Sequence, residues 1–256
     1  MEKANRFIHE TVNTTDMKNK TNMYAQNVDF PDVFKGCRNG CGYCVKSFQQ
    51  QAKRQKQNCM KCYTFEPHNH FERMKGRTPV TRGEQFIFFP KGGDPCYATA
   101  VEFKQMLTFI RANPQSRFLI QTKRPKFLLK HCPLPANVLV GITLESTESN
   151  YITPVDANYK QISPRSTPLL ERAEIFATVP HAHKSVTIEP ILQFNLKKML
   201  EVMHAIKPEV VYVGYDTKKC KLPEPTLAET TELINALKQE GFHVRLKQIR
   251  RAWYEN

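Results

Sequence analysis

Three cysteines fall within eight residues of the stretch Lys35-Gly36-Cys37-Arg38-Asn39-Gly40-Cys41-Gly42-Tyr43-Cys44, spaced Cys-x3-Cys-x2-Cys. A cubane iron–sulfur cluster normally takes four thiolates. Three closely spaced thiolates can hold three irons and leave the fourth open. An open metal position is where a substrate or cofactor binds, as it is at catalytic zinc. The glycines between the cysteines let the backbone fold tightly enough to aim three sulfurs inward. The competing readings are a structural zinc knuckle and a set of buried thiols.

A second group of ligand types follows. Cys59-Met60-Lys61-Cys62 is trailed by His68-Asn69-His70. Cys59, Cys62, His68 and His70 have the ligand types of a zinc site, although the gap is far shorter than in a zinc finger and His-x-His is unusual geometry. Their alternative is packing, or lining a cofactor pocket. A second iron–sulfur cluster here would need thiolates from the distant Cys96, Cys132 or Cys220.

Other chemistry-bearing residues stand where strands are expected to end. Gly92-Gly93-Asp94 follows the apolar run Gln85–Pro90, and Cys96 comes two residues later. Lys123 and Arg124 follow the run Arg117–Gln121, placed to meet a carboxylate or phosphate. Glu145 ends the run Asn137–Leu144, and a carboxylate there can accept bonds from ribose hydroxyls. Glu189 ends a further strand. Arg165 sits in a long polar loop over Ser146–Thr167, a candidate lid. His181 and His183 lie in a helix-to-strand loop, the face that serves stability in a barrel.

The elements that must position these residues alternate. Asn22–Phe30 is expected as a first strand, with a polar helix over Val45–Asn58. Strands near residues 85–90, 117–121, 137–145, 185–188 and 209–214 alternate with helices over Ala98–Asn113, Pro168–Ala177 and Phe194–Ile206. Thr226 with Glu229 forms a capping box for a last helix ending at Gly241, and Phe242–Ile249 suits one more strand. This alternation predicts an α/β fold, an open partial (β/α)6 barrel. Residues 1–21 are expected as a polar arm and 22–256 as one domain. Within it, 45–84 reads as a Cys/His-containing insertion and 217–256 as a C-terminal helix/strand extension.

Composition narrows the function classes. The chain has 256 residues, 40% of them hydrophobic, enough for a core. Lys and Arg exceed Asp and Glu by 38 to 24, a net charge of +14, which favours a polyanionic partner, nucleic acid first. No apolar run approaches the roughly 20 residues that span a bilayer. The polar start lacks an apolar signal core, so a cytoplasmic location is expected. Eight cysteines in such a chain point to metal or catalysis more than to disulfides.

The Cys-x3-Cys-x2-Cys spacing, with Tyr43 before the last cysteine, resembles the motif of the radical S-adenosylmethionine superfamily. Gly92-Gly93-Asp94 resembles its Gly-Gly-Glu turn, with Asp in place of Glu. More narrowly, Gln121–Pro125, Val140–Glu145, Ile188–Pro190 and the Cys62–Arg73 segment are similar to little-characterised phage and prokaryotic members related to spore photoproduct lyase. The resemblance implies a 4Fe-4S cluster on Cys37, Cys41 and Cys44, and S-adenosylmethionine on the open iron. It implies Tyr43 near the adenine, Gly92, Gly93 and Asp94 receiving the amine, and Glu145 and Lys123 beside the cofactor. The activity implied is reductive cleavage of S-adenosylmethionine to a 5′-deoxyadenosyl radical, fed by a donor such as flavodoxin or ferredoxin. Cys96 is then a candidate hydrogen-atom donor, as thiols are in some repair enzymes of this kind. Nucleic acid or a modified nucleoside is the expected substrate. The rival expectations are a peptide or small-metabolite substrate, or a non-enzymatic, metal-stabilised nucleic-acid binder. A phage-encoded chain would work in the host cytoplasm.

Overall fold

The computed structural model describes residues 24–44, 54–148, 152–155, 158–161 and 165–255. The chain opens with β1 (Phe34–Gly36), the short helix α1 (Met60–Thr64), β2 (His68–Asn69), β3 (Ile87–Phe88) and β4 (Gly92–Gly93). Helix α2 (Ala100–Arg111), β5 (Phe118–Thr122), α3 (Lys126–Leu129) and β6 (Val138–Thr143) follow. A hairpin of β7 (Ile152–Val155) and β8 (Asn158–Gln161) leads to α4 (Leu169–Ala177) and β9 (Lys184–Ile188). The chain ends with α5 (Leu196–Ile206), β10 (Val210–Val213), α6 (Leu227–Gln239) and β11 (Val244–Leu246).

Six strands form one all-parallel sheet, ordered β11-β10-β9-β6-β5-β3, and it curls into a half-barrel. Its central strands are buried on both faces, which is why they read as continuous apolar runs and not as alternating ones. The two faces still divide by the period of two. Phe118, Ile120, Val138, Val140, Ile142, Val186, Ile188, Val211 and Val213 meet the helices. Leu119, Leu139, Val210 and Tyr212 point to the other side, where Tyr24 fills the space. The Tyr24 ring stands edge-on to Phe86, Phe88 and Tyr212, and its hydroxyl donates to Gln121 Oε1 at 2.5 Å.

The helices are capped as their sequences direct. Thr226 and Glu229 form the expected capping box on α6, and Gly241 beyond it has φ +83°. Thr99 and Glu102 form a second box on α2. The four longer helices turn their apolar stripes to the sheet: Phe103, Met106 and Ile110 from α2, Phe176 from α4, Met199 and Met203 from α5, Leu233 and Leu237 from α6.

Six strands were expected, but the membership differs. The segment expected as the first strand touches the sheet through one parallel bridge, Asn27 to Phe86. The Asn27 side chain accepts the Phe88 N–H at 2.8 Å, taking the donor that a continuing strand would have used. The last strand, read as part of an extension, pairs residue for residue with β10. The strand that feeds the cysteine loop is β1, in a separate sheet ordered β2-β1-β4. The Ser146–Thr167 loop contains the β7–β8 antiparallel hairpin instead of being irregular throughout. Of the helix expected over Val45–Asn58, residues 45–53 lie outside the described residues and 54–58 are turns. Among the described residues, no helix is long and apolar enough to cross a membrane.

Candidate functional site

β1 and β4 are the elements that bring the cysteine loop to the sheet. They pair in parallel, Lys35 opposite Gly92 and Gly36 opposite Gly93. The expected Gly-Gly turn is therefore a strand, locked to the residues just before Cys37. Glycine is required by contact: a Cβ on Gly93 would come within 2.6 Å of Gly36 O. Asp32 holds the same junction, accepting from the Lys91 and Gly92 amides at 3.0 and 2.9 Å.

Asp94 ties the loop to the ends of the strands. Its buried carboxylate accepts from Asn39 Nδ2 at 2.9 Å, Thr122 Oγ1 at 2.7 Å, the Lys123 amide at 3.0 Å and the Cys96 amide at 3.1 Å. Asn39 lies inside the cysteine motif and is itself buried. Its Oδ1 accepts from Tyr97 at 2.8 Å, and its carbonyl accepts from the Arg165 amide. The Asp94 side chain thus works as a clamp between cysteine loop, β5 and Cys96.

The three thiols lie within each other's electrostatic reach. Burial first, then Asp94, pushes the Cys37 thiol up to about 12, with Cys41 and Cys44 adding to the shift. Burial and Cys41 push Cys44 up to about 12 as well. Ligation here is therefore linked to release of protons. All eight cysteines are free thiols. Among the described residues, one group of Cys, His and acidic side chains has all its ligand atoms within 4.8 Å of one another, and the trio is not that group. A cubane puts each thiolate on a different iron and accepts them further apart.

Tyr43 points inward beside the trio. Its hydroxyl donates to Glu145 Oε1 at 2.6 Å, and Lys123 Nζ bonds to both. Arg172, 1% exposed, donates to Glu145 Oε2 at 2.8 Å and to the carbonyls of Thr143 and Thr167. Glu145 was expected to face ribose hydroxyls. It is instead buried, with both oxygens taken by two cations and a phenol. Lys123 was expected on an open rim and is drawn inward by the same carboxylate.

Burial alone would push the Glu145 carboxyl up. Lys123 and Arg172 outweigh it and hold the carboxyl down at about 2, against a usual 4.5. A depressed carboxyl contributes stability that is complete above its unfolded value and is lost as pH falls toward its folded value. We expect the urea midpoint to drop between pH 4.5 and about 2. Glu145→Gln should flatten that part of the profile; an identical slope in both proteins would refute the assignment.

The second set of donors also converges. Cys59, Cys62, His68 and His70 place their ligand atoms within 4.8 Å of one another and could hold a metal ion. His181 and His183 do not form such a set among the described residues. His181 bonds to the Val138 carbonyl at 2.7 Å and His183 to Glu209 at 2.9 Å, at the opposite ends of the strands. Glu189 is paired with Lys247.

Sequence reasoning passed over Asn39, Thr122, Tyr24 and Arg172. Arg172 alone left a signal: Leu169, Arg172, Ala173 and Phe176 share one helical face, so a cation stands in an apolar stripe. The site thus has a thiol trio with Cys41 buried, a glycine strand with its acid clamp, and a Tyr–Lys–Glu–Arg cluster around the buried Glu145 and Arg172. No protein-family model and no curated protein matches the chain.

Proposed function

We propose that the chain is a radical S-adenosylmethionine enzyme, with a 4Fe-4S cluster on Cys37, Cys41 and Cys44 and a nucleic acid or modified nucleoside as substrate. The observation that carries the reading is the β1–β4 pairing. It sets three free thiols, Cys41 buried and Cys37 and Cys44 half-buried, beside Gly92, Gly93 and Asp94, at the carboxyl ends of a curled parallel sheet. Ligands bind at that end in open α/β sheets and barrels.

The donor set fits the group. Three free thiols in one loop suit one iron each, and leave the fourth iron for a chelating cofactor. When bound, the cluster and S-adenosylmethionine supply a reducing electron and a 5′-deoxyadenosyl radical. The protein's own residues bind, orient and exclude water. Asn39 and Asp94 fix the loop that carries the thiols. Tyr43 closes the inner side of the trio, packed with Leu192 and Leu222. Lys123 and Arg172 together exceed Glu145 by one positive charge, which offsets the negative charge of ligated thiolates. Cys96 adjoins Asp94 and Cys37, and burial keeps its thiol protonated, the state a hydrogen-atom donor needs. The net charge of +14 favours a nucleic-acid substrate over a peptide or small metabolite.

Anaerobic reconstitution with iron and sulfide tests the reading. We expect broad brown absorbance, near four irons per chain by the cluster's stoichiometry, and 5′-deoxyadenosine on adding S-adenosylmethionine and reductant. Cys41→Ala should lose both. A colourless protein, or an iron protein that never yields 5′-deoxyadenosine, would overturn it. Oligonucleotide binding that weakens steeply with salt would support the substrate class.

A further inference from the structure

Cys59 caps the N-terminus of α1, its sulfur accepting the Cys62 amide at 3.5 Å. This turn places both sulfurs on one side. Strand β2 then presents His68, and His70 follows it. Cys59 Sγ lies 3.5 Å from His68 Nε2, and Cys62 Sγ lies 3.3 Å and 3.1 Å from the Nε2 atoms of His68 and His70. Ligands about 2.0–2.3 Å from one tetrahedral ion stand roughly 3.3–3.8 Å apart. The three sulfur–nitrogen contacts need to open by only a few tenths of an ångström, and all four ligand atoms lie within 4.8 Å of one another.

The far sides of the rings decide what can lie between them. His68 Nδ1 bonds to the Glu66 carbonyl at 2.7 Å, and His70 Nδ1 to Glu72 Oε1 at 3.1 Å. Both partners are acceptors, so both Nδ1 atoms carry the proton. A ring so protonated that is neutral aims a bare lone pair from Nε2, and the two Nε2 atoms are 2.9 Å apart. Two lone pairs at that distance repel unless a proton or a metal ion sits between them. A carbonyl or carboxylate behind each ligating imidazole is also the usual outer partner of a metal-bound histidine.

We propose that Cys59, Cys62, His68 and His70 close around one Zn²⁺ that pins the strand entering the cysteine loop. Four protein ligands leave no open position, so the site is structural and not catalytic. The pin acts through the backbone. β2 pairs antiparallel with β1, His68 opposite Lys35, two residues before Cys37. The His70 amide donates to the Val33 carbonyl at 2.7 Å, and Arg73 Nη1 donates to the Asp32 carbonyl at 2.9 Å. The site stands on its own geometry and does not need the proposed radical chemistry.

The test uses the full chain with Cys37, Cys41 and Cys44 changed to Ser, titrated anaerobically with Co²⁺. We expect one equivalent to bind with the intense visible bands of tetrahedral cobalt and a thiolate charge-transfer band, displaced by one equivalent of Zn²⁺. His70→Ala should lose the tetrahedral spectrum. Glu72→Gln keeps every ligand and should weaken binding about 10- to 100-fold. Weak octahedral bands, a Cys59–Cys62 disulfide in place of binding, or a spectrum unchanged in His70→Ala would overturn the site. The pin has a separate readout in the wild-type chain. Zinc-loaded protein should exchange its amides more slowly over residues 33–36 than chelator-treated protein. Equal exchange with stoichiometric zinc bound would overturn the pin and leave the site.

Discussion

Gly36→Ala should unfold at lower urea than wild type and fail to take up most of its iron, whereas Gly42→Ala should do neither. Gly36 has φ +91°, and a Cβ there would stand 2.2 Å from the Glu66 carbonyl oxygen. That atom belongs to backbone held by α1 and β2, so no side chain can turn aside. Left-handed backbone costs a non-glycine residue about 1–2 kcal/mol. Overpacking adds about 1–3 kcal/mol. The sum, about 2–5 kcal/mol, is a large part of a typical domain's stability. A chain that relieves the clash must move β1 away from β2, and Cys37 moves with it. Gly42 stands in the same loop, and a Cβ there meets nothing within 4 Å. It controls for the loss of a loop glycine as such. Circular dichroism at low denaturant separates misplacement from unfolding. Wild-type stability and iron content in Gly36→Ala would show that β1 is not fixed as described.

The parallel sheet was legible because burial on both faces writes apolar runs such as Val138–Thr143 and Val210–Val213 plainly into the sequence. Capping residues wrote the start of α6 in the same way. The β2-β1-β4 sheet was not legible. Its strands are two or three residues long, and pairings between residues 34–36, 68–69 and 92–93 leave no local pattern. The replacement of the expected first strand depends on one side chain, Asn27, competing with backbone for the Phe88 amide. No periodicity reports such a competition. Residue types at the site were readable, because thiols and glycines at close spacing are uncommon. Their partners were not. Asp94 and Glu145 stood out as strand-end acids facing a cofactor, and their burial against Asn39, Thr122 and Arg172 is a tertiary outcome.

Glu145→Gln should be the most destabilising single change in the buried cluster, costing about 3–5 kcal/mol, while Lys123→Met should cost about 1–2 kcal/mol. The order follows from counting charges. Lys123 and Arg172 both bond to the Glu145 carboxylate, and the Glu145 and Arg172 side chains are each 1% exposed. Removing the carboxylate leaves two cations facing a neutral amide, away from water. Removing Lys123 leaves Arg172 and Glu145 as a matched pair, still bonded at Oε2, and Tyr43 still donating to Oε1. The double variant leaves one cation, Arg172, with the carbonyls of Thr143 and Thr167 to accept from it. A coupling of about 2–3 kcal/mol offsets the cost of Lys123→Met itself, so the double variant should be at least as stable as Glu145→Gln alone. Urea denaturation of the four proteins measures the cycle. Additive losses would mean that the carboxylate acts as a hydrogen-bond acceptor only and that the cation surplus is screened. The surplus matters beyond stability, because Lys123 also lies close enough to Cys44 to favour its thiolate. Lys123→Met should then lower iron uptake more than its small cost in stability accounts for, a disproportion that a purely structural lysine would not produce.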